Sequence, residues 1–499
     1  MKKVIQKVVN SEYILIFVIL SLIASIYLFD IPLVVNDELW NFSNMYKMTK
    51  GFEIYQDLNV IITPLFFYIG SFFLKFFGNN YLIYRLYNRY IINVLLFLMV
   101  YKIFRKLEVE KWNAIIYTTV SMLLMMPIIA IGGYGILATV ICLIGIEIEI
   151  KGSNNLWINS ILQGLCTFLI FMTKQNIGVF YLLGLLCFKI MQHKPWREKT
   201  KSMIYIVFLF TILIGVFCFF MKFRGNLEAF LNYTLGGINE FAKQNLTYSL
   251  WILLLLIVEI IINIIFIKLT YNIKIKWKNE TVRNRIRLLA SVSFFMIWQA
   301  YPIVNISHVM SGSIIFIILF LYLLDNMFLQ EILEGRKAKK IKKAMLLCIS
   351  ICILILSLIH NILYIKEIIS PDYYFEVNSP YYGALAKQET VDEIHTMCQY
   401  IEEQNKNGME VKVISYYANL YMNVLGKNNG EMDLPFYGNM GKSGEEGMIQ
   451  QIKELRNTKI LILTQEDSTY QESKKVTDYI RDNFIKEGEI SRFTIYASN

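Results

Sequence analysis

The sequence is poor in charge, proline, histidine and organised cysteine. Only 18% of the 499 residues are Asp, Glu, Lys or Arg, and there are 8 Pro, 4 His and 7 Cys. Six cysteines (Cys142, Cys166, Cys187, Cys218, Cys348, Cys352) fall in apolar runs and Cys398 stands alone, so neither a disulfide framework nor a metal-type Cys pair is present. Cys348 and Cys352, four apart in one apolar run, read as small packed hydrophobes. No basic stripe interleaved with aromatics occurs, which excludes a nucleic-acid partner. The few prolines and the lack of internal duplication argue against the paired broken helices of inverted-repeat transporters.

What fills the chain is apolar sequence. It is 56% hydrophobic, with 34 Phe and 32 Tyr, and its mean hydropathy is +0.45. Soluble domains average about 45–50% apolar residues. The excess comes in blocks of roughly 17–22, the length that crosses a bilayer. Strands of a membrane barrel would alternate apolar and polar residues instead. The expected fold class is therefore a polytopic α-helical membrane protein with about 11–13 transmembrane helices.

Charge is divided by region. Residues 364–499 hold 14 Lys+Arg and 21 Asp+Glu, a net −7, which leaves +17 for the remainder of a chain whose total is +10. The basic excess thus belongs to loops against a membrane. The first apolar run, 13–29, follows Lys2, Lys3 and Lys7 and has no small-x-small cleavage pattern after it, so it reads as a retained helix with a cytoplasmic N-terminus. Further apolar runs lie near 64–77, 83–101, 113–131, 133–150, 156–172, 176–191, 203–221, 248–268, 288–303, 310–329 and 344–363. Basic connections at 189–201, 268–287 and 336–343 read as cytoplasmic. Residues 174–176, 222–246 and 301–308, and the tail, then face outward. Counting from the N-terminus makes the parity fail by one. Either 64–77 enters and leaves on one side, or 113–131 and 133–150, broken at Gly132-Gly133-Tyr134-Gly135, are not two full spans.

Two domains are expected: a bilayer domain over 1–363, with a first outer loop at 31–63, and a small extracytoplasmic α/β domain over 364–499. In the second, helical spacing covers 391–404, 445–455 and 474–484, with short strands at 411–415 and 460–463. Gly438-x-x-Gly441-x-x-Gly444 lacks the preceding strand of a phosphate loop and reads as a turn-rich connection.

Chemistry concentrates just beyond the first apolar run, at Asn36-Asp37-Glu38. Two adjacent carboxylates at the rim of a membrane helix are costly unless they pair, bind a cation or react; a solvated loop is the bland alternative. A carboxylate there suits a general base that deprotonates an acceptor hydroxyl. Lys174, in Thr173-Lys174-Gln175-Asn176, can pair with a lipid phosphate as a point charge or snorkel at a helix end. His308, with Asn305 three residues before it, can hydrogen-bond a phosphate or a sugar, or be satisfied by a neighbouring carbonyl. Arg85 and Arg89 suit phosphate or interface anchoring. Asp57 suits acceptor binding, orientation of the base, or a turn. Asp37 and Asp57 with phosphate oxygens would suit a divalent cation, Mg²⁺ or Mn²⁺. Glu147 and Glu149, beside Lys151, read as interfacial. Glu259, deep in an apolar run, would be neutral or paired, and is the first suspect for a proton relay in a transporter.

The string Asp37-Glu38, Gly51, Tyr55-Gln56-Asp57, Thr63-Pro64-Leu65 and Arg85-Leu86 resembles the first outer loop of GT-C superfamily membrane glycosyltransferases, closest to the branch of protein O-mannosyltransferases and aminoarabinose transferases of lipid A. Ile62-Thr63-Pro64 departs from the His-Pro-Pro or Tyr-Pro-Pro of many members. The resemblance implies Asp37 as catalytic base and Glu38 as its supporting acid. It implies a polyprenyl-phosphate-linked sugar as donor, and inverting transfer on the extracytoplasmic side of the plasma membrane for cell-envelope glycan modification. Lys174, His308, Asn305 and Arg85 would contact the donor or its phosphate, and Asp57 the acceptor or a metal. The acceptor, a glycan, lipid or protein, is left open. Two alternatives are a transporter or flippase and a polysaccharide polymerase; the latter class usually gathers arginines in a large late outer loop, whereas 301–308 is short and has none.

Overall fold

The computed structural model describes residues 12–28, 33, 36–130, 133–152, 155–244, 247–271, 279–323, 325, 355, 359, 362, 375–376, 378–432, 438–464 and 472–498. The basic N-terminus, Gly132, the basic loop 336–343, most of the 344–363 run, Cys348 and Cys352 lie outside the described residues. The chain forms two compact units. One comprises Met1–Asp30, Asn88–Val216 and Thr247–Lys366, the other Ile31–Tyr87, Phe217–Leu246 and Glu367–Asn499.

Among the described residues, four helices are long and apolar enough to cross a membrane: Tyr81–Lys106, Leu156–Thr173, Trp196–Phe223 and Leu250–Leu269. Ile306–Gly312 and Ile314–Leu323, bent by 60°, add a fifth if they are one span. Trp251 is 77% and Phe219 71% exposed; apolar surface of that kind fits lipid, not water. Leu65–Phe77 has 13 residues, about 20 Å at 1.5 Å per residue, short of a hydrocarbon core about 30 Å thick. That length favours the first resolution of the parity problem, a segment that does not cross. At the other doubtful place two helices form, Lys111–Ile129 and Tyr134–Lys151, the second starting after Gly133 at φ 92°.

In the first unit small residues let helix backbones approach closely, as membrane helices require. A Cβ on Gly178 would lie 2.4 Å from the Phe171 Cα, and one on Gly184 would lie 2.7 Å from the Val292 Cα. Gly184→Ala must push Gln175–Met191 away from Glu280–Met296. Loss of about 1–3 kcal/mol is expected, the usual cost of overpacking, read as a lower thermal midpoint of the detergent-purified chain. Glu147 and Glu149, read from the sequence as interfacial, have buried and ion-paired side chains. Lys102 and Lys151 meet Glu147 at 2.6 and 3.1 Å, and Lys189 meets Glu149 at 2.5 Å. Burial forces such pairing, because an unpaired carboxylate there loses its hydration without return.

In the second unit the tail builds a four-stranded sheet. With β1 (Thr247–Tyr248) and β2 (Ile303–Val304) forming a small parallel pair in the first unit, the tail strands are β3 (Glu410–Ile414), β4 (Thr458–Leu463), β5 (Ile485–Ile490) and β6 (Phe493–Ala497), in the order β3-β4-β6-β5. β3 and β4 are parallel, whereas β6 runs antiparallel to both its neighbours. Helices Gln388–Lys406, Gly444–Glu454 and Lys474–Asn483 follow the spacing read in the sequence. The β5–β6 hairpin and the helix Ala418–Leu425 were not foreseen. β5 is mostly exposed along its length and lacks the apolar run that marks a buried strand.

The three-glycine stretch is structural. Gly438, Gly441 and Gly444 have φ of 97°, 66° and 54°, and the Lys442 amide donates to Asn232 Oδ1 at 2.7 Å. The Gly438 carbonyl oxygen lies 2.3 Å from where a Gly237 Cβ would sit, so both positions exclude side chains.

Glu472, 7% exposed, sits just before the Lys474–Asn483 helix. Burial pushes its pKa up to about 7, only partly offset by Ser415, the Tyr416 backbone and Arg481. A carboxyl whose folded value is raised favours folding at acid pH, and that contribution fades as pH rises from the unfolded value through about 7. Glu472→Gln is therefore expected to raise stability by roughly 2 kcal/mol at about pH 8 and to change little near about pH 4, seen in thermal unfolding against pH.

Candidate functional site

The outer-loop acids lie on the helix Asn36–Thr49, in its first turn. A helix N-terminus is a favourable place for carboxylates because unpaired backbone N–H groups and the helix dipole point at them. The two acids then diverge. Asp37 is exposed, whereas Glu38 is fully buried. Every residue from Glu38 to Lys47 is buried, so the helix is enclosed on all sides just past Asp37.

Glu38 Oε2 accepts from Arg85 Nη2 at 3.2 Å, with both side chains at 0% exposure. The guanidinium also lies over the Tyr81 ring, 4.6 Å from its centroid. Asn80 fixes this segment by accepting from the Ile83 amide at 3.1 Å, as an N-cap does. Arg85 Nε and Nη1 have no acceptor among the described residues. The buried guanidinium thus leaves two of its nitrogens without the hydrogen bonds they can donate.

The C-terminal half of the same helix is clamped by the tail. Ser43 Oγ donates to Asn419 and Asn423 at 2.7 and 2.8 Å, and Lys47 Nζ, itself buried, donates to Asn419 at 3.0 Å. Tyr381 donates its hydroxyl to the Asn419 carbonyl at 2.7 Å. The tail thus fixes the helix that carries Asp37, a clamp with no local sequence signature, since its Asn and Ser residues lie about 380 positions apart in the chain. Asn419→Leu would remove one acceptor each from Ser43 and from the buried Lys47 ammonium, which keeps Asn428 at 3.2 Å, and a loss of about 1–3 kcal/mol is expected in thermal unfolding.

Asp57 takes a turn role. Its Oδ2 accepts from the Glu53 amide at 2.7 Å, and its own amide donates to the Glu53 carbonyl at 2.8 Å. Between them Tyr55 has φ 72°, an uncommon conformation for a bulky residue, held by burial and by its hydroxyl donating to the Ile62 carbonyl at 2.7 Å. One Asp57 oxygen is so used, and no group of three His, Cys, Asp or Glu side chains that could hold a metal ion occurs among the described residues.

The remaining candidates belong to the first unit. Lys174 stands at the junction of Leu156–Thr173 and Gln175–Met191, with its ammonium 5.4 Å from the Tyr134 ring centre. Asn305 caps Ile306–Gly312, accepting from the His308 amide at 2.9 Å and facing His308 Nδ1 at 2.8 Å. Lys174 and His308 are within electrostatic reach of each other. The structure therefore groups Lys174, Asn305 and His308 in one unit, and Asp37, Glu38, Arg85 and Asp57 in the other. Arg89 is buried and donates from Nη1 to the Tyr27 carbonyl at 3.2 Å, an internal tie.

Sequence reasoning missed Glu53, Arg224 and Asn226. Arg224 Nη2 meets Glu53 Oε1 at 2.5 Å, and Asn226 Nδ2 donates to Oε2 at 2.8 Å. The Asn226 hydrogen bond, with Arg224 beside it, holds the Glu53 carboxyl below its usual range. They lie about 171 positions apart, and no local pattern links them.

No protein-family model matches the chain, and no curated protein does. Among solved structures it is similar to the crystal structure of the Archaeoglobus fulgidus oligosaccharyltransferase complex with Zn and sulfate, at 13% identity and a TM-score of 0.48, over 90% of this chain and 68% of that one. At that score the similarity carries no functional weight.

Proposed function

We propose that this chain is an integral membrane glycosyltransferase that moves a sugar from a polyprenyl-phosphate donor to an acceptor hydroxyl on the extracytoplasmic side, in the service of envelope glycans. The observation that carries the reading is the split fate of the two acids. Asp37 is exposed in the first turn of its helix, while Glu38 is buried and ion-paired to Arg85 immediately beneath it. A reactive carboxylate must reach solvent and substrate, and its support must be rigid.

In the step we assign, Asp37 removes the proton from the acceptor hydroxyl as that oxygen bonds to the anomeric carbon. The bond from that carbon to phosphate breaks, and polyprenyl phosphate leaves with the electron pair. The configuration inverts in this one displacement. Glu38 and Arg85 position the helix turn that carries Asp37, and the two unmatched Arg85 nitrogens are available to an oxygen of the donor. Lys174, Asn305 and His308 are assigned to the donor phosphate by their own chemistry, a point charge and a polar pair at helix junctions. No step runs through a metal. The chain is read as crossing the membrane about 11–13 times, with a cytoplasmic N-terminus, a bilayer domain over 1–363 and an extracytoplasmic domain over 364–499.

The test is transfer by the purified chain from radiolabelled polyprenyl-phosphate sugars, with nucleotide sugars as the comparison. Product formed from the lipid-linked donor alone supports the reading. Transfer from nucleotide sugars alone refutes it.

One observation favours a transporter instead. Glu259 is 5% exposed within Leu250–Leu269, accepts from Ser313 Oγ at 2.6 Å, and keeps Oε1 without a partner among the described residues. Under the transferase reading Glu259→Gln leaves transfer unchanged. Loss of proton-coupled flux in that variant would favour transport.

A further inference from the structure

The second unit contains a cleft of about 480 Å³ in which cations outnumber acids. One wall is the apolar helix Leu65–Phe77, which contributes Tyr68, Ser71 and Lys75; the other holds Thr49, Glu53 and Arg224. Lys75 is exposed, and no carboxylate pairs with it among the described residues. Arg224 presents five N–H donors in a planar fork. Glu53 engages one edge through Nη2, and among the described residues this is the only ion pair that Arg224 makes. Three hydroxyl-bearing residues, Thr49, Tyr68 and Ser71, line the same space, the Thr49 and Ser71 hydroxyls donating to the Tyr46 and Tyr68 carbonyls and keeping acceptor lone pairs.

The acid in this cleft is already satisfied. Glu53 accepts from both Arg224 and Asn226, and its backbone is locked to Asp57. It thus holds the Arg224 fork in place and is not free to receive a ligand cation. What remains unsatisfied is positive charge flanked by hydroxyls. That set matches an anion carrying hydroxyl groups: charge-assisted bonds from guanidinium and ammonium take phosphate oxygens, and neutral hydroxyls take sugar oxygens.

We propose that this cleft is a phosphate subsite for a phosphorylated saccharide, built by Lys75 and Arg224 and separate from the Lys174, Asn305 and His308 group. It deepens the transferase reading and rests on it for its purpose, because it gives the enzyme a second phosphate-bearing ligand besides the one assigned to Lys174 and His308. Asp57, through Glu53, is a positioning residue of the subsite. The phosphate has two sources, a soluble sugar phosphate or a bilayer-borne lipid phosphate, and the cleft chemistry is the same for both.

A ligand that binds only the folded chain raises its thermal midpoint, so unfolding reports binding without turnover. The full chain in nanodiscs, carrying Lys174→Gln and His308→Gln so that the donor-phosphate contacts assigned above are removed, is compared with and without glucose 1-phosphate, with glucose as the uncharged control, and with and without polyprenyl phosphate in the bilayer. One of the two phosphate arms is expected to raise the midpoint, glucose is not, and the arm that responds names the source. The shift is expected to vanish in Lys75→Glu and to need about tenfold more ligand in Arg224→Gln, the loss of one charge-assisted contact. Both side chains are exposed, so the ligand-free midpoint of Lys75→Glu should stay near wild type. Asp37→Asn should keep the full shift while losing transfer, which separates failure of the catalytic reading from failure of the subsite. No shift in either arm, a glucose shift equal to that of glucose 1-phosphate, or a shift that survives in Lys75→Glu overturns the proposal.

Discussion

Asp37→Asn is expected to lower sugar transfer by about 10²–10⁴-fold, the range that removal of a general base usually costs. The substitution keeps the shape of the side chain and removes its ability to take a proton. Asp37 is exposed in a first helical turn, and Asn keeps its size and a hydrogen-bond acceptor there. The thermal midpoint should therefore move little, within about 0.5 kcal/mol, as for other surface substitutions. A fall in transfer with an unchanged midpoint identifies a chemical role. Equal transfer in wild type and variant would remove Asp37 from the mechanism.

The second large effect concerns the acid next to it. Glu38→Ala leaves the Arg85 guanidinium buried without its carboxylate, and a loss of about 3–5 kcal/mol is expected. Arg85→Met removes the cation that Glu38 Oε2 meets at 3.2 Å and is expected to destabilise as well. The double variant Glu38→Leu with Arg85→Met removes both charges, and should recover most of the loss, because a buried pair replaced by apolar groups is often near neutral. Unfolding of the two single variants and the double variant in one detergent gives the coupling directly. Additive losses would mean that the 3.2 Å contact contributes nothing as a pair. Transfer should stay impaired in the double variant even where stability returns, since the turn that carries Asp37 has lost its polar anchor.

Much of the fold was legible because two periodicities are strong in this chain. Bilayer-length apolar blocks foretold the helices at Leu156–Thr173 and Leu250–Leu269, and helical spacing foretold Gln388–Lys406 in the tail. β5 escaped because Ile485–Ile490 reads Ile-Lys-Glu-Gly-Glu-Ile and pairs only with β6, at a sheet edge where little is buried. Polar residues suffice there, and the hydrophobic signal is absent. Glu147 and Glu149 read as interfacial from their place at the end of an apolar run beside Lys151, which does meet Glu147, but the partners Lys102 and Lys189, about 40 residues away on other helices, had no local signal.

The candidate site was legible only in part, for a related reason. Asp37 and Glu38 stand out as adjacent acids, but which of them is buried depends on the face of the helix that meets Tyr81 and Tyr84, and on Arg85 arriving from 47 positions away. The Glu53, Arg224 and Asn226 set has no local signature at all. Asp57, read from its neighbourhood as a chemical residue or a turn, is the acceptor of a loop hydrogen bond. Tertiary contact decided each of these, and spacing along the chain does not encode it.

The account stands on position 37 lying in the extracytoplasmic medium. Replacing Asp37 by Cys and labelling intact cells with a membrane-impermeant thiol reagent measures this directly, with the parent chain as background for its native cysteines. Prompt labelling of the variant in intact cells, no greater after permeabilisation, is the predicted result. Labelling that appears only once the membrane is opened would place the residue in the cytoplasm and contradict the account.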